Sequence, residues 1–113
     1  MQHRSRSAAR RDGIPGARLW IATCDGVPVG RRVDVREDGR LHLIDLAVTR
    51  AWRRRGLAGA LLDGLIAEAR EAGLPVTLNV DPLNAPALAL YRTRGFTVAA
   101  ASPPHLLMHR GTA

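Results

Sequence analysis

The sequence contains no lysine, and all 17 of its basic residues are arginine. It has one cysteine, Cys24, so an internal disulfide and a multi-cysteine metal site are both excluded. Single-cysteine usage fits a reducing cytoplasm. Aromatic residues make up only 4% of the chain, so aliphatic side chains must fill its core. No run approaches the roughly 20 consecutive apolar residues of a membrane span. Met1–Arg11 is basic but is not followed by the apolar stretch of a secretory signal. No cluster of ligand-type residues suggests a metal, and none is expected.

With 113 residues, 46% of them hydrophobic, the chain is sized for one small domain with one core. The formal net charge is +7. Residues 1–18 carry five arginines against Asp12, a net of +4, which leaves +3 for the remainder. The basic excess is therefore concentrated in a tail. No aromatic residue interleaves with that tail to offer bases a stacking platform, so nucleic acid is a poor fit as a partner.

Residues 1–16 are rich in Arg, Ser, Ala and Gly without an apolar period, and read as a disordered or poorly packed basic arm. A folded domain is expected over residues 17–113. Leu19–Cys24 and Val27–Val35 flank Asp25-Gly26, and Asp38-Gly39 leads on to Leu41–Val48. Asp-Gly is a strong hairpin signal, so a three-stranded antiparallel meander follows. Between Gly56 and Gly73, Leu57, Leu61, Leu62, Leu65, Ile66 and Ala69 recur at three- and four-residue spacing and predict an amphipathic helix. Gly73 and Pro75 end it. Val76–Val80 reads as a buried strand and Asn84–Arg94 as a second helix, with Pro86 in its first turn and Gly95 after it. Phe96–Ala100 and Leu106–His109 complete an α/β mixed-sheet domain of order β-β-β-α-β-α-β-β.

The strand over Leu41–Val48, the first helix and the strand over Val76–Val80 form a β-α-β unit, whose two strands should run parallel. Arg53, Arg54, Arg55, Gly56, Leu57 and Ala58 stand at the start of its helix. A helix start leaves backbone N–H groups unpaired and carries partial positive charge. Gly56 and Ala58 allow close approach to that backbone, and arginine forks suit phosphate oxygens. The turn is thus suited to a polyphosphate. Read alone, the same run also describes a solvated basic stretch ahead of an ordinary helix. A P-loop is ruled out by the absence of Gly-Lys-Ser/Thr. A dinucleotide turn fits poorly, because seven residues separate Val48 from Gly56 and Leu61 occupies its third glycine position.

Arg53-x-x-Gly56-x-Ala58 resembles the first signature of the Gcn5-related N-acetyltransferases (GNAT). Asn84-x-x-Ala87-x-x-Leu90-Tyr91-x-x-x-Gly95-Phe96 resembles their second signature, and Leu46-Ala47-Val48 resembles the strand end before the first. The likeness runs from about Leu19 to Arg110. It implies the GNAT-like acyl-CoA N-acyltransferase fold and transfer of acetyl from acetyl-CoA, the co-substrate, to a primary amine of unknown identity.

The resemblance also implies roles for residues. The amides of Arg53 to Ala58 would cradle the pyrophosphate, aided by the arginine side chains. The strands flanking the first helix would part to admit the pantetheine arm, which Leu46, Ala47 and Val48 would pair with through their backbone. The Leu46 amide would hold the thioester oxygen. Tyr91 would protonate the leaving thiolate. Asn84, in the same motif as Ala87, would bond the pantetheine arm, cap the second helix, or both. A usual position of the general base corresponds to His42, with deprotonation through ordered water as the alternative. Asp45, three residues on, should point to the opposite face from His42.

Members of the family usually begin with a strand and two helices that wall the acceptor site, and these are expected to be missing. The domain is thus read as N-terminally short, with Leu19–Cys24 a bare sheet edge that favours a homodimer. A non-catalytic acyl-CoA-binding module, or an inactive fragment of an acetyltransferase, is the alternative to an active enzyme.

Overall fold

A computed structural model describes the backbone of residues 2–7 and all of residues 14–112. Seven strands form one mixed sheet: β1 (Gln2–Ser7), β2 (Arg18–Cys24), β3 (Val27–Glu37), β4 (Arg40–Val48), β5 (Val76–Val80), β6 (Thr97–Ser102) and β7 (His105–Arg110). Their spatial order is β1-β2-β3-β4-β5-β7-β6. Helix α1 (Leu57–Ala72) links β4 to β5, and α2 (Ala85–Thr93) links β5 to β6. A 3-10 turn covers Arg50–Trp52. Among the described residues, no helix is long and apolar enough to cross a membrane.

Both Asp-Gly pairs make the expected hairpins. Asp25 and Gly26 have φ of 51° and 81°, Asp38 and Gly39 have 51° and 71°, and two successive positive angles match the twist of the flanking strands. All six residues of the periodic α1 stripe are buried. They pack with Leu41, Leu43, Val76, Leu78, Val80, Tyr91, Phe96 and Met108 in the main core and with Ala22 and Val29 in a smaller one. Gly73, at φ 69°, closes α1 in the left-handed region, and the Leu74 amide returns to the Ala69 carbonyl.

Two expectations are corrected here. Gln2–Ser7 are not a disordered arm. They pair antiparallel with β2 from Gln2–Thr23 to Ser7–Arg18. Edge pairing uses backbone groups that any residue except proline supplies, so a polar strand needs no apolar period, and charged residues commonly guard such edges. The rest of the expected arm, residues 8–13, lies outside the described residues. The Leu19–Cys24 edge is therefore covered, and the argument for self-association through it falls.

The second correction concerns β4. Val33 pairs with Asp45 and Asp34 with Leu43, so Ile44 is an extra residue, a β-bulge. A bulge inverts the alternation of side chains. Asp45 consequently shares a face with His42 instead of opposing it.

Candidate functional site

The parallel pairing of β4 with β5 covers only Leu41–Val76, His42–Thr77 and Leu43–Leu78. Beyond Leu43 the strands part, while β4 remains paired with β3 as far as Val48. One edge of β4 is thus open from Ile44 to Val48. The amide of Thr49 donates to the Val29 carbonyl on β3. Successive amides along a strand point to opposite edges, so those of Val48 and Leu46 point into the gap.

A cleft of about 750 Å³ occupies this gap and continues to the start of α1. Leu46, Ala47, Val48, Arg53, Arg54, Gly56, Leu57, Ala58, Asn84, Ala87 and Tyr91 all line it. Sequence reasoning placed each of these at the site. It gave no cleft role to Trp52, Gly59, Pro86 or Leu90, although all four line the cleft. Arg55 does not line the cleft, and its guanidinium lies over the Trp52 ring, 4.9 Å from the centroid.

The turn before α1 is unusual in its backbone. Gly56 caps the helix at φ 76°, and no side chain hydrogen-bonds the helix start. Arg54 also sits at a positive φ, 63°. Non-glycine residues avoid that region at a cost of about 1–2 kcal/mol, and such strain clusters at functional sites. The uncapped first turn contains Leu57, Ala58 and Gly59, all facing the cleft. The Arg53 side chain donates to the Val48 carbonyl at 3.4 Å. An uncapped helix start with two arginines beside it has the geometry that suits an anion.

At the start of α2, the Asn84 side-chain oxygen accepts from the Ala87 amide at 3.2 Å. The cap uses that oxygen and leaves the side-chain NH2 for a ligand. Further along α2, Tyr91 is buried and packs edge-on against Phe96, 5.8 Å between centroids. Its hydroxyl has no hydrogen-bond partner among the described residues. Burial, and to a lesser degree the charge of Asp45, push the phenol pKa above its usual value. Tyr91 therefore keeps its proton at neutral pH.

His42 stands apart. It lies in the closed part of the sheet and does not line the cleft. Its Nδ1 is 2.7 Å from the Thr77 hydroxyl, which also accepts from Arg40 at 3.0 Å. Burial first, and then Arg40, lower its pKa, so the ring is neutral at physiological pH.

A parted β4–β5 pair, an open row of amides, an uncapped arginine-ringed helix start and a buried tyrosine thus meet in one cleft. The acetyltransferase (GNAT) family model matches residues 2–96. The chain belongs to that family. The GNAT match begins within β1, which places this strand inside the domain. A mycothiol acetyltransferase from Clavibacter michiganensis is 44% identical over 62 residues, which are 55% of this chain and 19% of that protein. The PaiA N-acetyltransferase of Thermoplasma acidophilum, solved in complex with coenzyme A, superposes with a TM-score of 0.79 at 16% identity. That match covers 86% of this chain and 62% of the other. The ribosomal-protein-S18-alanine N-acetyltransferase of Escherichia coli also gives 0.79, at 21% identity, over 99% of this chain and 95% of the other. This GNAT chain spans less than two thirds of the first two relatives, and at such identities the two structural matches show the shared fold alone.

Proposed function

We propose that this chain binds acetyl-CoA in the β4–β5 cleft and transfers the acetyl group to a primary amine by direct attack. The observation that carries the reading is the meeting of the open β4 edge, the uncapped start of α1 and Tyr91 in one cleft. The pyrophosphate lies on the amides of Leu57, Ala58 and Gly59 and against Arg53 and Arg54. The pantetheine arm pairs with β4 at Leu46, Ala47 and Val48, with the Asn84 NH2 group against it.

The amine nitrogen attacks the thioester carbon and forms the C–N bond. The Leu46 N–H donates to the oxyanion that develops. One such donor contributes roughly 3–4 kcal/mol to the transition state. Collapse breaks the C–S bond, and the thiolate takes the proton of the Tyr91 hydroxyl. The proton lost by the amine passes to water, because His42, in the closed part of the sheet, does not line the cleft. No step calls for a metal. Single-cysteine usage supports a cytoplasmic setting.

Calorimetry tests the cofactor placement. Gly56→Asn keeps a residue that tolerates the left-handed region, while Gly56→Asp has the same shape and adds a carboxylate facing the pyrophosphate. We predict that the Asp variant loses at least tenfold more acetyl-CoA affinity than the Asn variant. Equal affinities would displace the pyrophosphate from this turn. A second reading, an acyl-CoA-binding module without turnover, is favoured by one observation: His42 does not line the cleft. Release of CoA on mixing the acetyl-CoA complex with amines, against the same complex without them, separates the two.

A further inference from the structure

The first turn of α1 is poorly equipped to hold its own shape. Its N-cap is Gly56, and no side chain bonds the helix start. Gly59 lies in the same turn and is buried. Helix ends fray, and glycine weakens a helix relative to alanine. On one side the turn is anchored by Leu57, which packs on Ala22 and Val29. On the side of Gly59 it has no side chain to anchor it.

The place of that missing side chain is taken by Arg94, from the end of α2. A Cβ built on Gly59 would overlap Arg94 Nη2 and come within 3.1 Å of Cζ. The arginine is fixed at both ends. Its amide donates to the Tyr91 carbonyl at 3.0 Å, and its carbonyl accepts from Arg110 Nε at 2.9 Å. Its Nε donates to Asp63 Oδ1 at 3.0 Å and its Nη1 to the Thr93 hydroxyl at 3.2 Å. Asp63 stands four residues after Gly59, on the same face of α1, so one flat guanidinium spans both. The two side chains of the ion pair are 30% and 58% exposed, and such a pair adds little to stability by itself. Its effect is geometric: α2 braces the first turn of α1 at Gly59.

We propose that Arg94 is a positioning residue for the phosphate half of the cofactor, seated on Gly59 so that the Leu57–Gly59 amides are held in the arrangement that receives the pyrophosphate. The proposal rests on the cofactor placement above. Arg94 does not line the cleft, so it acts through the Gly59 backbone and not by touching phosphate. Donors already in place bind an anion more tightly than donors that must first be ordered. The pantetheine arm, which lies on β4 and Asn84, gains nothing from the brace.

The probes are acetyl-CoA and S-acetylpantetheine, which lacks the pyrophosphate and the nucleoside. Calorimetry follows the first, and NMR amide shifts of residues 46–48 follow the second. Arg94→Ala and Gly59→Ala should each weaken acetyl-CoA binding roughly fivefold or more, the cost of ordering the turn on binding. S-acetylpantetheine affinity should stay within about twofold of wild type, because its contacts lie elsewhere. The double variant should bind acetyl-CoA no worse than Arg94→Ala, since the added methyl then enters vacated space. Should Arg94→Ala fail to fold, Gly59→Ala decides alone, because it keeps the arginine and improves helix propensity. Unchanged acetyl-CoA affinity in the single variants, equal losses for both ligands, or additive losses in the double variant overturn the role of Arg94 and leave the cofactor placement standing. A wild type that binds acetyl-CoA no more tightly than S-acetylpantetheine overturns the pyrophosphate placement and the proposal with it.

Discussion

The two halves of the sheet lie beneath the same helix and are built from opposite materials. Toward β4, β5 and β7, α1 rests on Leu41, Leu43, Val76, Leu78 and Met108, a dry aliphatic core that also holds Tyr91. Toward β2 and β3 it sets Leu57 and Leu61 on Ala22 and Val29, and beside that small apolar patch it rests on charge. Asp34, wholly buried, accepts from Arg18 and from Arg32 Nε at 2.8 Å. Arg18 also donates to Glu68 on α1, and Arg32 donates to the Leu61 carbonyl at 2.9 Å. The Trp20 ring carries both guanidinium groups, at 5.4 and 4.5 Å. Aliphatic packing is tolerant of detail, while hydrogen-bonded charge is directional. The dry half gives the cleft its tyrosine wall. The charged half fixes the position of α1 through its own backbone, and with it the Leu57–Gly59 amides.

The largest expected effect breaks the charged half. Asp34→Ala leaves two guanidinium groups with their shared carboxylate gone, and one of them, Arg32, is already pulled down in pKa by burial. Removing one partner of a buried ion pair costs about 3–5 kcal/mol. We predict that loss in denaturant unfolding. A loss below about 1 kcal/mol would mean that water already screens the network, and the contrast between the halves would fail.

The dry half should give a different pattern. Leu65 is fully buried against the sheet, so Leu65→Ala should cost about 2–5 kcal/mol through lost burial and a residual cavity. Leu65→Met, which conserves volume, should cost less than about 1.5 kcal/mol. Asp34→Asn conserves volume equally well but removes the charge. Unfolding curves should show it closer to Asp34→Ala than Leu65→Met is to Leu65→Ala. If both conservative changes are mild, directionality does not separate the halves.

Smaller again is the effect on chemistry. Tyr91→Phe leaves the packing on Phe96 and removes one hydroxyl. General acid catalysis contributes about 10²–10⁴-fold, so kcat should fall at least tenfold with acetyl-CoA affinity nearly unchanged. An unchanged kcat, with chemistry limiting the rate, would make Tyr91 a packing residue of the dry half alone.

What the sequence disclosed follows this same division. The dry half was legible because its signals are periodic or positional: the α1 stripe and two motifs whose residues nearly all reach the cleft. The charged half was legible in its strands, which the two Asp-Gly turns mark, but not in its buried charges. Arg32 and Asp34 look like exposed residues of an alternating strand, and only the tertiary contact with Leu61 and Glu68 buries them. The bulge at Ile44 leaves no trace in residue type, yet it decides which face Asp45 takes. β1 was misread for a related reason, since an edge strand pairs by backbone and needs no apolar pattern. Arg55 stands in the motif by position, but its stacking on Trp52 depends on how the 3-10 turn folds back.

The smallest expected effect concerns His42, at the seam between the halves. Its pKa is lowered in the folded protein by burial and by Arg40, with Glu37 opposing weakly. The folded state therefore binds its proton less readily than the unfolded chain, whose histidine titrates near 6.5. The stability linked to His42 is complete above about pH 6.5 and is lost as pH falls from there through the folded pKa. Carboxylates also gain protons on acidification, so the wild-type curve alone does not isolate the histidine. The difference between wild type and His42→Gln does, because glutamine cannot titrate and can still bond Thr77. We predict that the variant loses less stability than the wild type between pH 7 and pH 5, followed by thermal unfolding. Parallel curves would mean that His42 reaches solvent as freely in the fold as out of it.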